Sequence, residues 1–209
     1  MPNGLNERWG ELWSSLGVTS VPSNVFADLT TAYSSPTRYY HTLTHIKDCL
    51  HVFDEGKGLA ARPNEVELAI WFHDAIYDTK ATDNEQKSAD WSHRVITEAG
   101  LDSTVAERVD KLILATLHTE ITTEFDAQLL VDVDLSILGA EPTKFWEYEQ
   151  NIRKEYEWVP LPIYNQKRGE ILQRFLQRPK IFQIELYRKL YEAQARENLR
   201  DAIDQLSKP

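Results

Sequence analysis

An all-helical fold follows from three properties of this 209-residue chain. Apolar residues recur every three to four positions over long stretches, the spacing of helices that bury one face. Strand-like alternation of apolar and polar residues is sustained nowhere. Only 8 glycines and 9 prolines punctuate the chain, and most of the prolines fall between the periodic segments.

The first short helix is expected over residues 6–16, with Trp9, Leu12 and Trp13 on one face. Asn24 is placed to cap a second through Val25, Leu29 and Tyr33, which the turn Ser34-Ser35-Pro36 ends. A third begins near Thr42 and runs through Ile46, Leu50 and Phe53 to the glycines at 56 and 58. Pro63 suits the first turn of a fourth, in which Val66, Leu68, Ala69, Ile70, Trp71 and Phe72 are almost wholly apolar. Thr82 with Glu85 predicts a capping box that opens a fifth helix, ending at Gly100. Val105 to Leu117 and Asp126 to Leu138 follow, the latter stopped by Gly139. Pro142 opens a segment with Phe145, Tyr148, Ile152 and Tyr156 at near-helical spacing. Pro162 to Leu176 and Ile181 to Leu206 complete the count. The last helix carries Glu185–Lys189, Glu192–Arg196 and Arg200–Asp204 at i,i+4, the pattern of a solvated face. With no repeat, low-complexity tract or linker, residues 1–209 are expected to form one domain.

Composition narrows the function. With 42% apolar and 27% charged residues the chain reads as a soluble globular protein. Its 23 Lys+Arg against 33 Asp+Glu leave a formal charge of −10, which argues against non-specific binding of nucleic-acid polymers. No apolar run approaches the roughly 18 residues of a membrane span, and the N-terminus shows no basic start followed by a greasy stretch. One cysteine, Cys49, excludes an internal disulfide and fits a reducing cytoplasm. Its expected role is that of a small buried hydrophobe.

Polar residues set into apolar helical runs are the informative ones, because burial without partners costs a few kcal/mol. Three places break the pattern: His41-Thr-Leu-Thr-His45, the doublet His73-Asp74, and Asp132 with Asp134 inside Leu129-Leu-Val-Asp-Val-Asp-Leu135. His41 and His45 share one helix face if both are helical. A cation held between helices would explain all three at once. Two familiar metal sites are excluded by spacing. A zincin helix needs Glu directly after the first of its two His, and Thr42 stands there. A ferritin-like di-iron bundle needs Glu-x-x-His pairs, and none of the six His has Glu three residues before it.

What remains is a His, then an adjacent His-Asp doublet, then a distant Asp, each on a different helix. That order resembles the HD superfamily of metal-dependent phosphohydrolases, and more closely a bacterial branch of predicted metal-dependent HD phosphohydrolases. The matching stretches are Arg38-Tyr-Tyr-His-Thr-Leu-Thr-His45, Trp71-Phe-His-Asp-Ala-Ile-Tyr-Asp78, Asp83-Asn-Glu-Gln-Lys-Ser-Ala89, Ala115-Thr-Leu-His118 and Asp132-Val-Asp-Leu-Ser-Ile-Leu-Gly139. Arg153-Lys-Glu-Tyr156 and Ala195-Arg-Glu-Asn-Leu199 also look like that branch. The resemblance implies a single HD-type helical bundle, its motif core at about 38–140, with an additional N-terminal helix and C-terminal helices over 141–209. It implies one divalent ion (Mn, Fe, Co, Ni, Zn or Mg) held by His45, His73, Asp74 and Asp134. Asp132 and Asp134 stand about 200° apart on a helix and cannot both face one ion; the match to the family's motif favours Asp134 and leaves Asp132 as a supporting or solvated residue.

Such a donor set leaves open coordination positions for water and a phosphate oxygen, and the ion would lower the water's pKa and polarise the phosphorus–oxygen bond. Asp78, four residues after Asp74, is the expected general base if the helix continues that far. Asp74 and Glu85 are its expected catalytic companions, although Glu85 also has the capping-box role. Arg38, His41 and His118 are the expected substrate contacts, Arg38 as a phosphate clamp. Tyr77 stands where the related (p)ppGpp hydrolases have a further carboxylate, so their substrate is not carried over. The expected activity is hydrolysis of a phosphate ester or anhydride in a nucleotide or other small phosphorylated metabolite, in the cytoplasm, with no membrane partner and with room for a homodimer. The rival readings are a nucleotide-binding sensor that uses the same pocket without turnover and a di-iron HD-type oxygenase.

Overall fold

A computed structural model describes residues 2–19, 21 and 24–208, and among them the chain is helical throughout, without strands. Ten α-helices run in order: α1 (Pro2–Ser15), α2 (Val25–Tyr33), α3 (Leu43–Gly56), α4 (Pro63–Phe72), α5 (Asn84–Glu98), α6 (Ser103–Ala115), α7 (Phe125–Asp134), α8 (Pro142–Glu155), α9 (Leu161–Gln177) and α10 (Glu185–Leu206). Short 3-10 turns follow α3 at Lys57–Leu59 and α7 at Leu135–Gly139. The chain forms two compact units, one up to Val131 and one from Asp132 onward. None of the described helices is long and apolar enough to cross a membrane.

The first unit is organised around α4. Every residue from Glu65 to Phe72 is buried, as expected of a helix that is apolar all round. It packs against α1, α3, α5 and α6. Trp71 meets Trp9 edge-on at 5.3 Å, and Trp9 meets Trp13 in the same way at 5.5 Å. Two carboxylates lie within this apolar environment, and each is answered by a cation. Glu65 takes a bidentate pair from Arg108 at 2.6 and 2.7 Å, and Glu67 is held by Arg8 and Lys57, both at 2.8 Å. The Asp126 carboxylate accepts the backbone N–H groups of Ala61 and Arg62 at 2.8 and 2.9 Å, fixing the entry to α4. At the other end the Tyr33 hydroxyl donates to the Trp71 carbonyl at 2.9 Å, one of the carbonyls a helix terminus leaves without a partner. Pinned at both ends, α4 delivers the residues that follow it to a defined place.

The second unit closes on itself through α10. Asp132, fully buried, accepts from the N–H groups of Gln183 and Ile184 at 2.9 and 2.6 Å, so it supplies from a distance the cap that α10 lacks locally. Asn198 donates to the carbonyls of Leu138 and Ala140 at 2.9 and 2.8 Å. Gly139 lets the turn lie directly on α10: a β-carbon there would stand 2.5 Å from Tyr191 Cβ and 2.6 Å from the Tyr191 carbonyl oxygen. Between α8 and α9, Arg168 is buried against Glu149 and the Tyr148 hydroxyl, 2.5 and 2.6 Å from its Nη2.

Several local expectations are corrected. The capping box of Thr82 and Glu85 does not form, since α5 begins after Asp83 with no side-chain cap. Asn24 occupies the N-cap position of α2 without a capping bond. The helix expected to Leu138 ends at Asp134 and tightens into the 3-10 turn. α10 begins at Glu185 rather than Ile181, because the Glu192 carboxylate takes the Ile181 and Phe182 N–H groups and Asp132 the next two.

Candidate metal centre

Thr42 opens α3, its hydroxyl accepting the Thr44 N–H at 3.3 Å, and this start sets the helix phase. His45 and Cys49, one turn apart, then project from the same face, and both are buried. His73 follows the last residue of α4, its N–H still bonded to the Ala69 carbonyl at 2.9 Å, and its ring is buried. Asp74 comes next in a turn, with its side chain partly covered.

These residues converge. His45 Nε2 lies 3.1 Å from His73 Nε2, and Asp74 Oδ2 lies 3.4 Å from the first and 3.1 Å from the second. Cys49 Sγ is 3.7 Å from both ring nitrogens of His45. Ligand atoms of His45, Cys49 and His73 all fall within 4.8 Å of one another. His73 Nδ1 stands 2.9 Å from the Ile70 carbonyl, which only accepts, so Nδ1 carries the hydrogen. Nε2 is then the atom that faces a second imidazole nitrogen and a carboxylate oxygen, donating to the carboxylate when the ring is protonated and open to a cation when it is neutral. Three electron-rich atoms facing each other in a buried volume fit a cation between them, and the Nδ1–carbonyl bond is the orientation a ligating imidazole uses. Burial alone would raise the Asp74 carboxyl, but the charges of His73 and His41 and hydrogen bonds from His45 and His73 hold it well below the usual carboxylate range.

The remaining predicted residues have varied placements. Arg38 is buried, and its guanidinium donates to three main-chain carbonyls: Asp74 at 2.6 Å, Ala75 at 2.9 Å and His41 at 3.2 Å. It lies over the rings of Tyr33 and Tyr77 at 5.1 and 5.6 Å. Its contacts are those of a brace for the His-Asp turn. His41 precedes the α3 cap and so does not share a helix face with His45; instead it stacks on Tyr77 at 4.0 Å and meets the His45 ring edge-on at 5.9 Å. Both His41 and Tyr77 are half-buried beside the cluster.

Asp78 is not on a helix face with Asp74, because α4 has already ended. It is exposed, its Oδ1 accepting from the Lys80 N–H at 2.9 Å, while its backbone exchanges two hydrogen bonds with the Asn84 side chain. Glu85 is half-buried in the first turn of α5. His118 lies beyond the end of α6 in the left-handed region, φ 55°, which a non-glycine residue adopts rarely. Asp134 is the last residue of α7 and belongs to the second unit, where its charge raises the pKa of the Tyr148 phenol, a smaller effect than that of burial. Asp132 is not solvated: it is buried, and both of its oxygens accept from the main chain at the start of α10. Cys49, expected to be only a small buried hydrophobe, is the one member of the cluster that sequence reasoning left out. Its i+4 spacing from His45 is the signal that carried the information. No family model, curated protein or solved structure matches this chain.

Proposed function

We propose that the protein is a metal-dependent phosphohydrolase acting on a small phosphorylated metabolite, with His45, His73 and Asp74 among the ligands of one divalent ion. The supporting observation is the convergence of His73 Nε2 with His45 Nε2 and Asp74 Oδ2, each 3.1 Å away, three ligand-type atoms in a covered place where a cation would be stabilised. The motif order assigns Asp134 as a further ligand. A divalent ion bound by this set would supply Lewis acidity toward water and a phosphate oxygen.

The chain's own residues prepare that chemistry in three ways. The Ile70 carbonyl fixes the His73 tautomer, so the ring offers Nε2 and not Nδ1. Arg38 holds the Asp74 and Ala75 carbonyls in place, which sets the direction of the Asp74 carboxylate. The stacked His41 and Tyr77, partly open to solvent, flank the cluster and present an imidazole to an incoming anion. Glu85 and His118 remain the next polar groups to test for substrate contact, and exposed Asp78 is the candidate base to be tested against them.

The deciding experiment reconstitutes the purified full chain with Mn, Co or Zn, quantifies bound metal, and screens a panel of phosphorylated metabolites. Release of inorganic phosphate that disappears in Asp74→Ala, with the helical circular-dichroism signal retained, is the expected result. Binding of a nucleotide without turnover in every metal form would replace hydrolysis with sensing, and two irons per chain with oxygen consumption would replace it with oxygenation.

A further inference from the structure

We infer that Tyr77 is a positioning residue, holding the His41 imidazole in place to contact a phosphate oxygen of the substrate. The inference rests on the reading proposed above and deepens it. His41 precedes the Thr42 cap, so no helix fixes its ring. Neighbouring rings place it instead: it stacks on Tyr77 with centroids 4.0 Å apart and planes inclined by 26°, and Tyr40 meets it edge-on at 5.0 Å. The His41 carbonyl accepts from Arg38 Nη1 at 3.2 Å, and the same guanidinium lies over the Tyr77 ring at 5.6 Å. One arginine therefore touches both partners of the stack.

Tyr77 suits this role because its backbone is fixed on both sides, although α4 has already ended. The Ile76 N–H donates to Ser88 Oγ at 3.0 Å, the Asp78 N–H donates to Asn84 Oδ1 at 3.1 Å, and Asn84 Nδ2 donates to the Asp78 carbonyl at 2.9 Å. Ser88 and Asn84 both belong to α5, so a helix anchors the turn that carries the phenol ring. His41 and Tyr77 are both partly exposed. The His41 ring stands 5.9 Å from the ring of His45, whose Nε2 lies 3.1 Å from His73 Nε2. An imidazole carries at least one N–H in either charge state, and such a donor held beside a bound cation would meet an oxygen of a phosphate there. A flat ring against the imidazole removes rotamers that turn the donor away, an ordering cost that binding would otherwise carry.

The test loads the full-length protein with diamagnetic zinc, quantifies the bound metal, and titrates the complex with inorganic phosphate. Calorimetry follows the binding and NMR follows the histidine ring resonances. In wild type, phosphate is expected to shift the His41 ring signals, assigned as those missing from His41→Ala. Tyr77→Leu is expected to keep its zinc and to weaken phosphate binding about three- to tenfold, the range of one aromatic contact, while Tyr77→Phe retains wild-type affinity. His41→Ala combined with Tyr77→Leu should bind phosphate no more weakly than His41→Ala alone, because the two residues act as one. Additive losses, or unchanged affinity in Tyr77→Leu, overturn the positioning role. Zinc bound by wild type with no phosphate shift at His41 overturns the inference and leaves the metal reading standing, whereas failure to bind zinc overturns both. The wild-type spectrum keeps the test decisive even if Tyr77→Leu folds poorly.

Discussion

The Arg38 guanidinium donates to the Asp74 main-chain carbonyl at 2.6 Å, joining residues 36 apart in sequence. The contact ties the segment that leads into α3 to the turn that follows α4, and these two places supply His45 and the His73-Asp74 doublet. A lysine at 38 would carry the charge without the planar fork that reaches three carbonyls. Arg38→Lys is therefore expected to weaken divalent-metal binding about 10–100-fold, the range seen when groups that orient ligands are removed. Titration against a chelator of known affinity checks this. Unchanged metal affinity in a folded Arg38→Lys protein would show that the clasp does not govern ligand placement.

Asp132 and Asp134 are separated by one residue and should respond in opposite ways. Asp132→Ala leaves the Gln183 and Ile184 N–H groups without their acceptors at the start of α10, a loss of about 3 kcal/mol in stability by denaturant melts, with metal stoichiometry retained. Asp134→Ala should keep its stability and lose bound metal. The reverse outcome would exchange the two roles.

Arg168 and Glu149 form a charge pair that is almost completely covered, with side-chain exposures of 10% and 9%. Arg168→Leu strands the Glu149 carboxylate and is expected to cost roughly 3–5 kcal/mol. Adding Glu149→Leu should recover most of that loss, because the pair's own desolvation is then removed as well. Chemical denaturation of the single and double variants measures both. A double variant no more stable than Arg168→Leu alone would mean that packing, not stranded charge, is what the substitution disturbs.

The acid limb of stability has a local contributor at α6. The Asp102 carboxylate accepts the Thr104 N–H at 2.8 Å, which holds its pKa below the usual aspartate value. A depressed folded pKa stabilises the protein above the unfolded value, and that contribution is lost as pH falls through the folded one. Asp102→Asn should therefore flatten the decline in Tm between about pH 4 and pH 2. Parallel slopes for wild type and variant would assign the acid sensitivity elsewhere.

Much of the architecture was legible in advance, because helix existence depends on apolar spacing and that spacing is local. The all-apolar run Val66–Phe72 announced a central helix, and Pro63 its start. The boundaries that failed share one cause: the backbone groups at those ends are satisfied by residues far along the chain. Asp132 and Glu192 occupy the N–H groups of residues 181–184, so α10 starts late, a fact no window around Ile181 contains. The pairing of His45 with His73-Asp74 was readable as an unexplained polar interruption of apolar helices. The contacts of Arg38 were not, since they depend on three carbonyls brought together by folding. Asp78 was misplaced because its reading extended α4 past the point where the helix unwinds into the His-Asp turn.

Position 139 tolerates a hydrogen atom and little else. What a methyl group would strike there is the Tyr191 backbone, which cannot swing aside like the tip of a lysine. Alanine at 139 would have to lever away a 22-residue rod, and the displacement would reach Asn198 and the carbonyls it serves two turns farther along. A change of one carbon atom would thus be felt over the length of a helix, with no repair available from any neighbouring side chain.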